Sequence, residues 1–368
     1  MTPRFTRSLI FLSASAAFAL AACQPARDDA NASDQNKVTE LDVDLNSDQP
    51  SSAGPLTLAG SVEFPGYTGD FDHFAVDAKG ARLFLAGEES AEVEVLDLKT
   101  GAIIKRLKGF GTPHSVFYMP ATNELLVIDG DKPSPVLDAD TLATKRTYDL
   151  PKGADSVGFD SSTGHLWVVT GGKDVPQKDS NLLEIDPATG KVIKSVHFDA
   201  DHVEAMAIEQ NGPFLYINVT DKNVLAVVDK ASGKIMKTWS IKEAEQNAPI
   251  AIDEKTHRLF VVTRKPGKLL VLNADSGATI ASFGAPARTD EVTWDAANRR
   301  IYVTGGEGYT SVIEQDNADT YREVAKVKTL PGAKTAVVDS AQSRLWIAAS
   351  PGESKAMAKV LWYSIAPR

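Results

Sequence analysis

The chain holds 368 residues, with 49 acids against 39 lysines and arginines for a formal charge of −10, and one cysteine. That acidic balance speaks against nucleic acid as a partner, because binding it needs a basic face that neutralises phosphates. A lone cysteine allows neither an internal disulfide nor a thiolate metal cluster.

At the N-terminus, Arg4 and Arg7 precede an apolar run from Leu9 to Leu20, the layout of a secretory signal and too short to span a bilayer as a mature helix. The run ends in Leu20-Ala21-Ala22-Cys23, which resembles a bacterial lipobox. The resemblance implies a signal peptide over residues 1–22, removed ahead of a Cys23 whose thiol carries lipid. By the same resemblance Gln24 favours the outer membrane, so a periplasm-facing envelope protein held to the membrane by its lipid is expected. The plainer alternative is an ordinary signal followed by an incidental cysteine. Residues 24–55 are rich in Asp, Ser, Asn, Gln, Ala and Pro and contain no aromatic residue. Such a segment cannot bury enough surface to offset the entropy of ordering, so 23–55 is expected to be a lipidated cysteine and a disordered acidic tether. Within it, Val38 to Leu45 has the pattern of a transient strand.

From Leu56 onward one phrase recurs. It reads Arg82-Leu83-Phe84-Leu85-Ala86, Glu124-Leu125-Leu126-Val127-Ile128, His165-Leu166-Trp167-Val168-Val169, Phe214-Leu215-Tyr216-Ile217-Asn218, Arg258-Leu259-Phe260-Val261-Val262, Arg300-Ile301-Tyr302-Val303-Thr304 and Arg344-Leu345-Trp346-Ile347-Ala348. The second residues stand 42, 41, 49, 44, 42 and 44 positions apart, the period of a four-stranded propeller blade. The phrase is apolar enough to be covered on both faces, which predicts the second strand, B, of each blade. Before it comes an alternating strand A, as in Asp155 to Asp160. After it come strand C, as in Val224 to Asp229, and an Asp-x-x-Ser/Thr-Gly turn at Asp97, Asp186 and Asp229. In that turn Asp accepts backbone hydrogen bonds and Gly supplies positive φ. Strand D, as in Lys191 to Phe198, forms the outer edge.

Six acids hold one register six residues before the second position of strand B: Asp77, Asp160, Glu209, Asp253, Asp295 and Asp339. Four have Arg five residues on, at Arg82, Arg258, Arg300 and Arg344. Repetition at a turn predicts a structural carboxylate that caps the A to B connection and pairs with that Arg, rather than a ring of ligands. The last copy supplies three strands, while Leu56 to Pro65 reads like a strand D ahead of the first. The expectation is an all-β, seven-bladed propeller over residues 56–368, its last blade closed by the N-terminal strand so that no edge is left unpaired.

These repeats, with phrases such as Ile301-Tyr302-Val303-Thr304 and the Asp-x-x-Thr-Gly turn, resemble the YVTN-type β-propeller repeat family of bacterial surface and periplasmic proteins over roughly residues 56–368. Where that family has Asn after Tyr-Val-Thr, Gly305 follows Thr304 here. The resemblance implies a propeller and a surface or binding role, and no particular reaction. Asp229 to Lys234 followed by Trp239 also resembles the tryptophan-docking repeat of quinone-dependent propeller dehydrogenases, but the Trp lies farther from the Gly and there is no cysteine pair to stack on a quinone.

Chemistry is expected where the loops before strand A and those joining B to C share one face around the channel mouth. One position before the first A-strand residue of each copy gives Asp72, His114, Asp155, Glu204, Ala248, Asp290 and Lys334; the next gives His73, Ser115, Ser156, Ala205, Pro249, Glu291 and Thr335. Equivalent positions of seven strands converge on one axis. An acidic, histidine-bearing mouth follows, with Asp72, His73, His114, Asp155, Glu204, Asp290, Glu291 and Lys334 as candidate ligand contacts. His202 falls in the same loops, whereas His165 and His257 belong to the opposite face and His197 to an outer strand. The functional expectation is a binding module that presents this mouth to a small ligand or an envelope protein, as a monomer. The alternative resembles the metal-dependent lactonases: one divalent ion held by His73, His114, Asp155 and Glu204, polarising an ester carbonyl. A hydrated funnel of solvent-sharing acids is the bland counterpart of both. Two glycine-rich loops, Gly171-Gly172-Lys173 and Gly305 to Tyr309, lack a following helix that could hold phosphate. Trp167, Tyr216, Tyr302 and Trp346 are expected to pack between blades rather than to form a sugar platform.

Overall fold

Strand B sets the ring. In the computed structural model, which describes residues 49–173, 175–352 and 356–368, each recurring phrase begins a strand where its first residue stands. The seven B strands are Arg82–Gly87, Glu124–Asp129, His165–Gly171, Phe214–Val219, Arg258–Lys265, Arg300–Gly305 and Arg344–Ala349. Each is the second strand of a four-stranded antiparallel sheet, and the seven sheets form a seven-bladed β-propeller. The A strands of blade 7 and blade 1 touch like those of other neighbouring blades, so the ring is closed. Apart from one 3-10 turn, Thr220–Lys222, every named element among the described residues is a strand. The expected signal peptide, Cys23 and Val38 to Leu45 lie outside the described residues.

The core sits between blades, which explains the unbroken apolar run of strand B. Leu83, Phe84, Leu85 and Ala86 are fully buried in a row, since a neighbouring sheet covers each face. Trp167, Tyr216, Tyr302 and Trp346 are buried to within about 1%, and Trp346 lies against Trp362 with ring centroids 5.0 Å apart. All four are inter-blade packing and none offers a ring face to a sugar. Trp239 likewise stacks on Tyr216 at 6.0 Å and covers Gly277 of the next blade.

Leu56–Glu63 is the outer strand of blade 7, paired antiparallel to Lys359–Ile365 from Leu56 opposite Ile365 to Glu63 opposite Lys359. Its register slips between Leu58 and Gly60, where a β-carbon on Gly60 would stand 2.1 Å from the Trp362 ring; glycine lets the indole lie on the backbone.

The Asp-x-x-Ser/Thr-Gly turns form as expected, with Asp97 accepting the Thr100 N–H at 2.7 Å and Gly101 at φ 73°. The same turn recurs at Asp138, closed by Leu142 at φ 60°, and at Asn273, closed by Gly277. The six A to B acids are all buried and cap their turns; Asp77 takes the Gly80 N–H at 2.8 Å and Asp295 takes the Asn298 N–H at 3.2 Å. The expected arginine pairing holds only for Arg82, whose Nε donates to Asp77 at 2.8 Å. Arg258 reaches Asp319 at 2.6 Å, Arg300 reaches Glu314 at 2.9 Å, and Arg344 donates to the Leu98 and Lys99 carbonyls at 3.0 and 2.8 Å. At Asp295 turn donors fill both carboxylate oxygens, whereas Asp339 Oδ2 is left without a hydrogen bond among the described residues; in both turns the guanidinium, with five N–H groups, goes elsewhere. Arg82, Arg258 and Arg344 all reach the C to D turn of the following blade, Arg82 by an ion pair to Asp140 at 3.0 Å. The repeated Arg is therefore mainly a staple across the seam between blades.

The charged channel mouth

A local irregularity aims the candidate side chains. In blades 2, 4, 5 and 7 the A to B pairing skips at His114, at Glu204 and Ala205, at Ala248 and Pro249, and at Lys334. A bulge leaves its extra residue outside the ladder and turns the side chain, a device common at rims beside binding sites. In blades 1, 3 and 6 the equivalent Asp72, Asp155 and Asp290 precede strand A. All seven of these positions line one cavity of about 380 Å³ at the mouth. His73 and Ser156 stand beside them, whereas Glu291 supports from behind, its carboxylate 3.2 Å from His73 Nδ1.

Going round the mouth, His114 Nδ1 lies 3.1 Å from Asp72, and His73 Nε2 3.4 Å from the other Asp72 oxygen. Glu204 bonds His202 and accepts from Arg264 at 3.2 Å. Arg264 also pairs with Asp290 at 2.5 Å, and Lys334 bridges Asp290 at 2.8 Å and Asp70 at 3.0 Å. The Asp155 carboxylate has no hydrogen bond or ion pair among the described residues, although it lies within 4.8 Å of ligand atoms on both Asp72 and His73.

Electrostatics follow from this crowding. Burial presses the two imidazoles toward neutrality, but Asp72, Glu291 and Asp155 around His73, and Asp155, Asp72 and Glu88 around His114, hold each proton on to about pH 10. Burial works to raise Asp72, yet His73 and His114 keep it below the usual carboxylate range. Asp155 is pushed up to about 6 by burial, with Asp72 and Glu204 adding to the effect against His114 and His73. Burial and Asp72 raise Glu88 to about 7. Burial works to lower both Lys334 and Arg264, but Asp290 and Asp72 hold Lys334 up, and Glu204 and Asp290 hold Arg264 up.

The four residues expected to share a metal are not brought together as one set. Glu204 is turned toward His202 and Arg264, and two overlapping groups form instead: Asp72, His73 and Asp155, and Asp72, Glu88 and His114. Both imidazoles are imidazolium partners of carboxylates at neutral pH, so an ion could enter only by displacing their protons. Treating the protein with a chelator at pH 7 is therefore expected to leave its Tm unchanged. A fall of several degrees, restored by added divalent ion, would show a metal among the histidines.

Several functional neighbours lay outside the seven-position pattern. Arg264, at the end of strand B in blade 5, fills the gap that Ala248 leaves there. Glu88 and Glu89 come from the B to C loop of blade 1, Lys173 from that of blade 3, and Asp70 and Arg288 from loops leading into strand A. His202 belongs beside Glu204, while His165 and His257 pair with Glu184 and Glu209 away from this cavity. In the Gly171-Gly172-Lys173 loop the Gly172 N–H donates to the Asp179 carbonyl at 3.0 Å and the Lys173 N–H to the Asp201 carbonyl of the connection into blade 4 at 2.6 Å, and the Gly305 to Tyr309 segment is a hairpin joining strands B and C of blade 6.

Fold and mouth together define a seven-bladed β-propeller with an acidic, histidine-bearing channel opening. The chain is 24% identical over 192 residues to the uncharacterized protein YncE of Salmonella typhi, and equally so to that of Salmonella typhimurium; the match covers 51% of this chain and 52% of each relative. The chain thus spans about half the length of the curated relatives it matches. No family model matches it. The distant similarity and the seven-bladed ring agree on a YncE-like propeller.

Proposed function

We propose that this protein is a binding module of the bacterial envelope, tethered through a lipid on Cys23, whose channel mouth takes a small polar ligand. The observation that carries the binding role is the charged cavity of about 380 Å³, within the size range of small-ligand sites, on which the strand-start residues of all seven blades converge. Its side chains are arranged to hold rather than to react. His73 is engaged with carboxylates at both ring nitrogens and His114 at Nδ1, and among the described residues the hydroxyl of Ser156, which lines the cavity, is bonded to no base. The lactonase-like alternative would need His73, His114, Asp155 and Glu204 as one ligand set, and Glu204 is turned to His202 and Arg264 instead, so the geometry favours binding.

The test of the binding role is a thermal-shift survey of small polar compounds on the wild-type domain and on Arg264→Ala, which opens the ring. Compounds that raise the wild-type Tm and lose the effect in the variant support the mouth as the site. If no compound shifts the wild type, or the same compounds shift both proteins equally, the proposal fails.

The tether rests on Leu20-Ala21-Ala22-Cys23. Cys23→Ser is expected to leave a protein that no longer partitions with membranes, because one thiol carries the lipid and a chain of net charge −10 has little attraction for anionic lipid. Fractionation that still finds the variant in the membrane, with the signal removed, would contradict it.

A further inference from the structure

Seven is odd, and that has a chemical consequence at the mouth. Taken blade by blade, the side chains at the ring position are Asp72, His114, Asp155, Glu204, Arg264 in place of Ala248, Asp290 and Lys334. Their charges alternate around the ring except once, because an odd ring of alternating signs must contain one like-signed neighbour pair. That junction is Asp155 beside Glu204. Glu204 resolves it by turning to Arg264 and His202, while Asp72 is held by His114 and Asp290 by Arg264 and Lys334. Asp155 alone of the ring is left without a partner among the described residues. Its carboxylate is within 4.8 Å of the Asp72 carboxylate, close enough for one donor atom to reach both.

A second unpaired charge of opposite sign lines the same cavity. Arg288 is exposed on the loop into strand A of blade 6, its side chain running along Gly306, and it makes no ion pair among the described residues. Every other ring charge is compensated within the ring, so a ligand gains most by supplying a cation to Asp155 and an anion to Arg288. His73 and His114 face Asp155 but neither donates to it, so a half-buried carboxylate that accepts no hydrogen bond among the described residues gains from a donor aimed at it, which gives the cation end the larger share of the affinity.

We propose, on the reading of the mouth as a ligand site, that the ligand is a small zwitterion: a primary ammonium seated at Asp155 and Asp72, and a carboxylate held by Arg288. Its ammonium gives Asp155 the hydrogen-bonding partner that the ring leaves it without, and its carboxylate gives Arg288 an ion pair.

Calorimetric titration with ω-amino acids from glycine to 6-aminohexanoate, alongside hexylamine and hexanoate, tests the class. The wild type, Asp155→Asn and Arg288→Ala are compared, with folding checked by melting curves. One ω-amino acid is expected to bind more tightly than either singly charged probe. Its affinity should fall about 10- to 100-fold in Asp155→Asn and by a smaller factor in Arg288→Ala. Hexylamine should depend on Asp155 and be indifferent to Arg288. The proposal is overturned if the ω-amino acids bind no better than the amine, if Asp155→Asn leaves their affinity intact, or if a divalent ion alone takes the Asp155 position. Should compounds of other chemistry shift the wild type while these do not, the mouth remains a binding site and the zwitterion is wrong; if nothing shifts it, both readings fall.

Discussion

Deleting residues 24–50 is expected to leave the propeller folded, whereas deleting 24–66 is expected to abolish its cooperative melting or lower Tm by at least about 10 °C. The shorter deletion stops ahead of the Ser51 N–H bond to the Lys328 carbonyl and removes no part of blade 7. The longer one removes all of Leu56–Glu63 and leaves Lys359–Ile365 as an open edge. It also removes Leu56 and Phe64, 1% and 0% exposed, from two inter-blade clusters. Losing one buried Phe side chain alone costs about 3–5 kcal/mol, and an unpaired strand edge invites aggregation. Equal Tm values for the two deletions would show that the N-terminal strand does not close the ring.

Alkaline destabilisation is the second expected result. His73 and His114 hold their protons to about pH 10 in the folded protein and to about 6.5 when unfolded. A group with a raised folded pKa gives stability that is complete below its unfolded value and is lost as pH rises through the folded one. Between pH 7 and 9.5 the folded state therefore binds more protons than the unfolded, and Tm should fall. Asp155 and Glu88, raised to about 6 and 7, have the same sign but act mostly below this window. The buried tyrosines, whose values are raised, enter only above it. The effect is on the order of several kcal/mol, since every tenfold gain in proton affinity on folding is worth about 1.4 kcal/mol. In His73→Gln/His114→Gln the slope should be largely gone. A wild-type Tm that stays flat from pH 7 to 9.5 would contradict the imidazolium–carboxylate mouth.

Both results turn on residues that the sequence exposes unequally. The ring is legible because strand B is covered on both faces, so its phrase stays apolar at every position and recurs at blade spacing. The mouth is legible because strand A starts in one register, so Asp72, His114, Asp155, Glu204, Asp290 and Lys334 can be read as neighbours although up to 262 positions separate them. The bulges that aim four of the seven positions carry no compositional mark. Glu88 and Arg288 come from loops of unequal length, where register gives no guidance, and Arg264 comes from the far end of strand B in blade 5. Arg258, Arg300 and Arg344 mislead for a different reason: a spacing of five residues points to a local pair, whereas a long guanidinium finds unfilled acceptors beyond its own turn. The unpaired state of Asp155 depends on Arg264 and Lys334 being taken up by Glu204, Asp290 and Asp70, a set of pairings between blades that spacing does not reveal.

Six histidines make the central claim directly measurable. Imidazole NMR signals, assigned by single His→Gln substitutions, are followed while a compound that raises Tm is added to saturation. Binding at the mouth should move the His73 and His114 signals and leave His165, His197 and His257 in place. Movement confined to His165 and His257, with His73 and His114 unmoved, would put the ligand on the opposite face and contradict the account.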